Sequence, residues 1–301
     1  MIERALPLSL ALAFDLGLGE LPATGHPVVV SGWVIGRLAG RPTGRNGRDL
    51  ARGALAVALP TAGAWAIGRL VERRGRGVVR FAVAAWLLKS SFALRGLLDA
   101  GTRVAQALGN DDLDEARRQL PWLVSRPIED LDRAHVCSAA IESLAENLAD
   151  SYVAPLVAYA VGGLPAAMAY RVINTADAML GYRGDLEYLG KGAARLDDLV
   201  NFVPARLTAA AIALSAPVVG LSGRGALLTA MGDAGRTSSP NAGWSMAAAA
   251  GAIGIWLEKP GAYRLGAGAA PDVVHIAAAR RLIFAAAALA TAAYIAWEVS
   301  R

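Results

Sequence analysis

The chain has 301 residues, of which 55% are apolar and only 18% charged, with a formal net charge of +5. Soluble domains carry about 25% charged residues, so this chain has too little polar surface for an ordinary globule, and its apolar fraction excludes disorder. A single cysteine, Cys137, excludes a disulfide scaffold, and no sustained period of three or seven supports collagen or a coiled coil.

Taken in chain order, residues 5–14 form a short apolar stretch after Arg4. Glu3 before it and Asp15 in its continuation depart from a secretory signal, so it reads as a retained helix ending near Gly19. The LPATG at residues 21–25 matches a sorting pattern that acts only ahead of a C-terminal hydrophobic tail, and here it is a coincidence. A Gly-, Pro- and Arg-rich loop is expected over about 21–52, then apolar helices at about 53–70 and 78–100, the second carrying Lys89 and Arg95. Residues 101–133, with Asp111, Asp112, Asp114, Glu115, Glu129, Asp130 and Asp132 among breaks at Pro121 and Pro127, read as an acidic extramembrane helical insertion. Further apolar helices are expected at about 204–221, 244–257 and 281–298, with no sustained strand alternation and no internal repeat.

Four windows contain no charged residue: 53–68, 151–170, 207–223 and 282–297. They lie near the roughly 20 residues that a membrane-spanning helix needs. Arginines close three of them, at Arg52 and Arg69, Arg206 and Arg224, and Arg280 and Arg281, which suits side chains reaching the interface. The expectation is an all-α polytopic helical membrane protein, a single integral-membrane domain over 1–301 in the cell (inner) membrane; an Ala-rich soluble bundle is the alternative. The basic residues are almost all arginine, with Lys89, Lys191 and Lys259 the only lysines, and they are scattered at segment ends. No base-rich run points to nucleic acid. The lipid bilayer and phosphate groups remain as partners.

The informative region is 139–206. Glu142, Glu146 and Asp150 stand at i, i+4 and i+8, along one stripe of a helix. Like charges stacked this way repel, more so beside an apolar run where the effective dielectric is low. A bound divalent metal such as Mg2+, or arginines from elsewhere, must relieve them; a solvated acidic face is the bland alternative. After Pro155, the Gly162-Gly163-Leu164-Pro165 run reads as a helix stop followed by a new start. A re-entrant or broken helical hairpin around 133–182 is therefore expected. If the chain turns at Gly163, Asp150 and Asp177 face each other about 20 Å from the turn. In the second arm Arg171, Asn174 and Asp177 share a face, and a third segment places Arg195, Asp198 and Asn201 at three-residue spacing, with Asp197 adjacent and Arg206 beyond Pro204. Polar groups at membrane depth are costly, so such a concentration marks a functional site. Carboxylates hold metal, arginines neutralise phosphate oxygens and amides orient a substrate.

IESLAENLAD with Pro155, RVINTADAML followed by GYR, ARLDD with Asn201 and VPAR, and SPNAG at 239–243, in that order, resemble the motifs of the adenosylcobinamide-phosphate synthase family, the CbiB/CobD membrane proteins of cobalamin biosynthesis. The His26-Pro27-Val28 loop fits as well, and the similarity runs from about Phe14 to Tyr263. The resemblance implies an ATP-dependent ligase that joins adenosylcobyric acid, through a propionate carboxyl, to aminopropanol phosphate or a related amino alcohol. Its implied cofactors are ATP and Mg2+, and its partners are those substrates, with self-association or other corrinoid-pathway enzymes beside them. With no G-x-x-x-x-G-K-[ST] in the chain, any ATP site is not a P-loop.

On this reading Glu142, Glu146, Asp150 and Asp177 are candidate metal ligands or general bases, and Asp197 and Asp198 serve either purpose. Arg171, Arg195 and Arg206 are candidates for phosphate, with Arg183 of the GYR motif among the substrate-binding residues, and Asn147, Asn174 and Asn201 orient. His26 is a candidate substrate contact, as are Ser239 and Asn241, whose segment opens an apolar helix with N–H donors. Departures from the family pattern are Arg126-Pro127 where an Asp is usual, Ala178 for Ser, Arg183 for Lys, and Gly19-Glu20-Leu21-Pro22 for a Gly-Asp-Pro turn. They leave room for a different amino-alcohol preference. His135 and His275 lack zinc-ligand spacing, and Cys137 reads as a small buried residue. A transporter or a non-catalytic scaffold for corrinoid enzymes is the rival class; the first should show paired inverted halves, and the second needs no clustered acids.

Overall fold

The computed structural model describes residues 2–20, 24–74, 77–182 and 184–300, and α-helix dominates them. The helices are α1 (Ile2–Leu18), α2 (Pro27–Ala39), α3 (Asn46–Arg74), α4 (Gly77–Lys89), α5 (Leu94–Gly109), α6 (Leu113–Gln119), α7 (Arg133–Leu148), α8 (Ala154–Leu180), α9 (Glu187–Val200), α10 (Phe202–Ser215), α11 (Gly223–Asp233), α12 (Ala242–Ile253) and α13 (Val273–Val299). One antiparallel hairpin, β1 (Leu257–Lys259) with β2 (Tyr263–Leu265), is the only sheet among the described residues.

Five helical stretches, Asn46–Arg74, Gly77–Gly109, Arg133–Leu180, Phe202–Val219 and Val273–Val299, are long and apolar enough to cross a membrane. Large apolar side chains in the middle of α3 (Leu55, Leu59, Trp65, Ile67) and α13 (Phe284, Leu289, Ile295) point outward. An outward apolar face on a long helix is what lipid requires and water penalises. The chain is a polytopic helical membrane protein. The helix expected over 244–257 is α12, which at 12 residues is too short to span.

Two boundaries differ from the sequence expectation. The stretch read as a loop over 21–52 contains α2, because Pro27 opens the helix and the His26 ring accepts the Val28 N–H at 3.1 Å as its cap. The helix expected over 78–100 is two, α4 and α5. Between them the Lys89 side chain turns onto the Phe92 carbonyl at 3.1 Å, and the Phe92 N–H closes onto the Lys89 carbonyl.

The chain forms two compact units by contact, each interleaved along the sequence. The first comprises Met1–Ala93, Ala154–Asn201 and Tyr294–Arg301; the second comprises Leu94–Val153 and Phe202–Ala293. In the first unit, glycines set how closely the helices approach. A Cβ on Gly53 would strike the Leu189 backbone, one on Gly68 the Pro165 backbone, and one on Gly190 the Leu180 carbonyl. Small residues at such crossings let backbones touch. Around them Ile35, Val57, Val172, Ala176, Leu180, Leu189 and Ala193 form one buried apolar cluster. This packing presses α9 against the second half of α8 and fixes the polar faces of both.

The break expected in the 133–182 region is present. Helix α8 loses helical geometry at Gly163, with φ 69° and ψ −161°, a left-handed conformation that suits glycine. The new helical start is covered, since the Leu164 N–H donates to Glu72 Oε1 at 2.9 Å. An acidic group on a helix N-terminus is favourable in charge as well as in hydrogen bonding. Further upstream, α7 passes into α8 through a wide helical turn over Ala149–Val153 that carries Asp150.

Candidate functional site

In the first unit, α8 and α9 bring together the residues that the sequence singled out in both. Arg171 Nη1 donates to Asn174 Oδ1 at 3.3 Å, and Asn174 Nδ2 donates to Asp197 Oδ1 at 3.3 Å. Asn201 Nδ2 donates to the other oxygen, Asp197 Oδ2, at 2.9 Å, and Asn201 Oδ1 accepts the Tyr170 hydroxyl at 2.9 Å. The result is one continuous chain, Arg171–Asn174–Asp197–Asn201–Tyr170. Its regularity follows from helix geometry: Arg171 and Asn174 are one turn apart on α8, and Asp197 and Asn201 one turn apart at the end of α9.

Asp177 stands in the same half of α8, half-buried and within electrostatic reach of Asp197 and Asp198. Its carboxylate lies over Gly181, where a Cβ would collide with it. Burial pushes the Asp197 carboxyl above the ordinary range; the Asn201 and Asn174 amides pull it back, and the Asp198 charge adds to the rise. Asp198 is raised as well, by burial, with Arg195 opposing. Three acids therefore converge where negative charge is expensive. Arg195 itself is exposed, and Arg183 lies outside the described residues.

A second group in the same unit was not assembled from sequence. Asp15 and Lys89, both fully buried, pair at 2.9 Å. Lys89 also reaches Glu20 at 3.6 Å, and Glu20 lies 3.6 Å from His26 Nε2. Burial would raise Glu20, but the His26 hydrogen bond and the charges of Lys89, His26 and Arg171 hold it below its ordinary value. His26 thus caps α2 with one ring nitrogen and faces Glu20 with the other. The signals were two isolated charges, at 15 and 89, inside otherwise apolar helices.

The second unit holds the acidic stripe of α7. Glu142 is buried and fully engaged. Ser138 Oγ donates to its Oε1 at 2.6 Å, while Arg126 Nη1 at 3.2 Å and the Tyr263 hydroxyl at 2.8 Å donate to its Oε2. Of the two cations the stripe demanded, an arginine is present at Glu142. Burial and the Glu142 charge push the Tyr263 hydroxyl upward, so it stays protonated and donates. Arg126 and Tyr263 were missed because their partner lies 16 and 121 residues away. Glu146 and Asp150 are half-buried, and Asn147 donates to the Ser143 carbonyl and hydroxyl, each at 3.0 Å. Glu142, Glu146 and Asp150 belong to the second unit and Asp177 to the first.

Also in the second unit, Arg206 donates to Asn241 Oδ1 at 3.2 Å and stacks on Phe202 and Trp244. The SPNAG segment opens α12, but Ser239 Oγ already accepts the Asn241 N–H at 3.2 Å and the Ala242 N–H at 3.3 Å. Those two donors are used within the chain.

Among the described residues no three histidine, cysteine or acidic side chains form a ready-made metal shell. The donors at Asp177 and Asp197 are hard oxygens from crowded acids. Magnesium is commonly held by one or two carboxylates, with water and phosphate oxygens completing the shell. The donor set fits that ion.

Residues 8–290 match the family described as CobD/Cbib protein. A "Cobalamin biosynthesis protein CobD" of Dehalococcoides mccartyi is 41% identical over 270 residues, covering 88% of this chain and 87% of the relative. "Probable cobalamin biosynthesis protein CobD" of Pyrococcus abyssi is 43% identical, covering 85% and 84%, and that of Methanothrix thermoacetophila is 36% identical, covering 96% of each. No solved structure matches.

Proposed function

The chain belongs to the CobD/CbiB protein family of cobalamin biosynthesis, and we propose that it is the ligase of that family: it joins the propionate carboxyl of adenosylcobyric acid to the amine of aminopropanol phosphate, or a related amino-alcohol phosphate, with consumption of ATP, in the cell (inner) membrane. One observation carries the reading. The Arg171–Asn174–Asp197–Asn201–Tyr170 chain beside Asp177 joins acid, amide and guanidinium groups on two packed helices, far more polar chemistry than anchoring in a bilayer requires.

Amide synthesis needs three things from a protein: neutralised phosphate charge, an oriented carboxyl group and removal of a proton from the incoming ammonium. Asp177 and Asp197 would hold magnesium, which supplies charge neutralisation at transferring phosphoryl oxygens. Asn174 and Asn201 occupy one oxygen each of Asp197 and so fix the plane of its carboxylate. Tyr170 locks Asn201 in turn. Arg171, anchored to Asn174, would supply the positive charge that meets phosphate oxygens. ATP converts the carboxyl into an acyl phosphate; Asp198, with its affinity for protons raised by burial, accepts the proton from the ammonium, and the neutral amine attacks the acyl carbon and expels inorganic phosphate.

The test is direct. Purified protein with adenosylcobyric acid, 1-aminopropan-2-ol phosphate, ATP and magnesium should yield the amide by mass spectrometry, with one ATP cleaved per amide. Transport of a corrinoid into sealed vesicles without amide formation would replace this reading.

A further inference from the structure

The first unit contains a cavity of about 270 Å3 lined by Arg4, Arg69, Glu72, Arg73, Arg80 and Tyr159, among others. It sits where helices end and begin. Arg69 and Arg73 occupy the last two turns of α3, Arg4 the first turn of α1 and Arg80 the first turn of α4. Helix α3 and the stretch that α4 opens are both long and apolar enough to cross a membrane. The cavity therefore lies at the level where spanning segments meet lipid headgroups.

Its charge is unbalanced. Arg4 Nη1 donates to the Ala160 carbonyl at 3.2 Å, and the Arg69 guanidinium stacks 5.5 Å from the centre of the Trp65 ring; neither contact neutralises the charge. Arg73 is exposed. Glu72 is committed to the break in α8, where its Oε1 accepts the Leu164 N–H at 2.9 Å. Arg80 has contacts of its own, Phe81 among them. With Arg80 set aside, three guanidinium groups line the cavity with one carboxylate.

We infer that this cavity seats the phosphate of an anionic membrane phospholipid of the phosphatidylglycerol class. Guanidinium groups grip phosphate oxygens in pairs, and basic pockets between spanning helices suit anionic headgroups. Large apolar side chains beside the arginines point outward on the same helices: Trp65, Ile67 and Leu70 on α3, and Val78, Val79 and Val83 on α4. They offer acyl chains a surface, which a soluble phosphate compound does not use. The cavity is smaller than the roughly 300–1,000 Å3 of pockets for drug-sized ligands, so it holds a headgroup while the chains stay outside. The surplus positive charge favours a net negative lipid over phosphatidylcholine, which carries its own ammonium. Gly68 packs on the Pro165 backbone next to the Glu72 cap, so a phosphate held here braces α3 against the break in α8.

Binding is read by native mass spectrometry and melting on the delipidated full-length protein in detergent. Phosphatidylglycerol should bind roughly tenfold or more tightly than phosphatidylcholine and raise the melting temperature. Arg73→Gln, at an exposed position that folding tolerates, should weaken phosphatidylglycerol roughly fivefold, and Arg4→Gln/Arg69→Gln/Arg73→Gln roughly a hundredfold. Arg41→Gln/Arg45→Gln/Arg48→Gln removes as much charge from exposed positions before and at the start of α3, and should bind like the parent.

Equal binding of the two lipids, or parental binding by Arg73→Gln, would overturn the proposal. So would an equal loss in the Arg41, Arg45 and Arg48 variant, which would reduce the effect to net charge. Displacement of the lipid by an equal concentration of inorganic phosphate or ATP would assign the cavity to a soluble phosphate compound instead. The lipid site does not depend on the ligase reading, since none of these measurements involves turnover.

Discussion

Replacing Lys89 with methionine tests the buried charges of the first unit. Lys89 Nζ lies 2.9 Å from Asp15, and both side chains are 1% exposed. With an effective dielectric near 20, that separation is worth about 6 kcal/mol of attraction, set against a desolvation penalty of several kcal/mol for each ion. The pair as a whole is therefore nearly neutral. Losing one member is not, because Asp15 then keeps its burial without its counter-ion, at a cost of about 3–5 kcal/mol. Lys89→Met also releases the Phe92 carbonyl and the contact to Glu20. The double variant Asp15→Leu/Lys89→Met removes both ions and should return to within about 2 kcal/mol of the parent. Unfolding of the purified protein in detergent, followed by denaturant or heat, reads all four corners of the cycle. A loss below about 1 kcal/mol for Lys89→Met, or a double variant as unstable as the two single losses added, would refute the ion-pair reasoning.

The remaining expectations concern the acids and the close helix crossing. Asp177→Asn and Glu146→Gln should each abolish amide formation while membrane insertion, read by protease protection, is unchanged; near-parental turnover in either would remove that residue from the chemistry. Asn201→Ala frees the Asp197 carboxylate plane and should lower kcat by about 10²-fold with little change in unfolding. Asp197 and Asp198 hold protons more tightly when folded than when unfolded, so their contribution to stability is most favourable at low pH and declines as pH rises from about 4 through the raised folded values. Activity that needs them ionised should fall on the acid side above the ordinary carboxylate range. Asp198→Asn removes the proposed proton acceptor and should lower kcat by about 10²-fold or more, while the acid limb that remains, set by Asp197 without its like-charged neighbour, should move to lower pH; parental turnover would separate Asp198 from the reaction. Gly190→Val forces α9 off the Leu180 carbonyl and should lose both stability and activity, measured together by melting and turnover.

Much of the first-unit site was legible because its spacing is helical. Arg171, Asn174 and Asp177 recur every three residues, and Arg195, Asp198 and Asn201 do the same with Asp197 adjacent, so each set announces a polar stripe before any fold is known. That the stripes meet was not legible. It depends on Gly53, Gly68 and Gly190 admitting neighbouring backbones, and a glycine in a sequence does not say whose backbone approaches it. Gly163 was readable as a break because Gly-Gly-Leu-Pro has few other uses inside an apolar run. The lid on that break, Glu72, was not, being 92 residues away. Likewise each of Asp15, Lys89 and Arg126 is visible as a charge, but its partner is a matter of topology. Helix α2 carries a start signal in His26-Pro27, but the glycines and arginines around it have the composition of a loop.

The interleaving of the two units has a consequence for biogenesis. The polypeptide passes from one unit to the other after residues 93, 153, 201 and 293. Most of the first unit, through Asn201, is made before the second unit's Phe202–Ala293, yet its last segment, Tyr294–Arg301, follows that stretch, and Leu94–Val153 of the second unit waits meanwhile for helices made later. Long-range pairing of this kind slows assembly and exposes half-built surfaces to chaperones and proteases. Splitting the gene after residue 153 or 201 therefore severs both units at once, whereas a split after 93 or 293 leaves the second unit in one fragment.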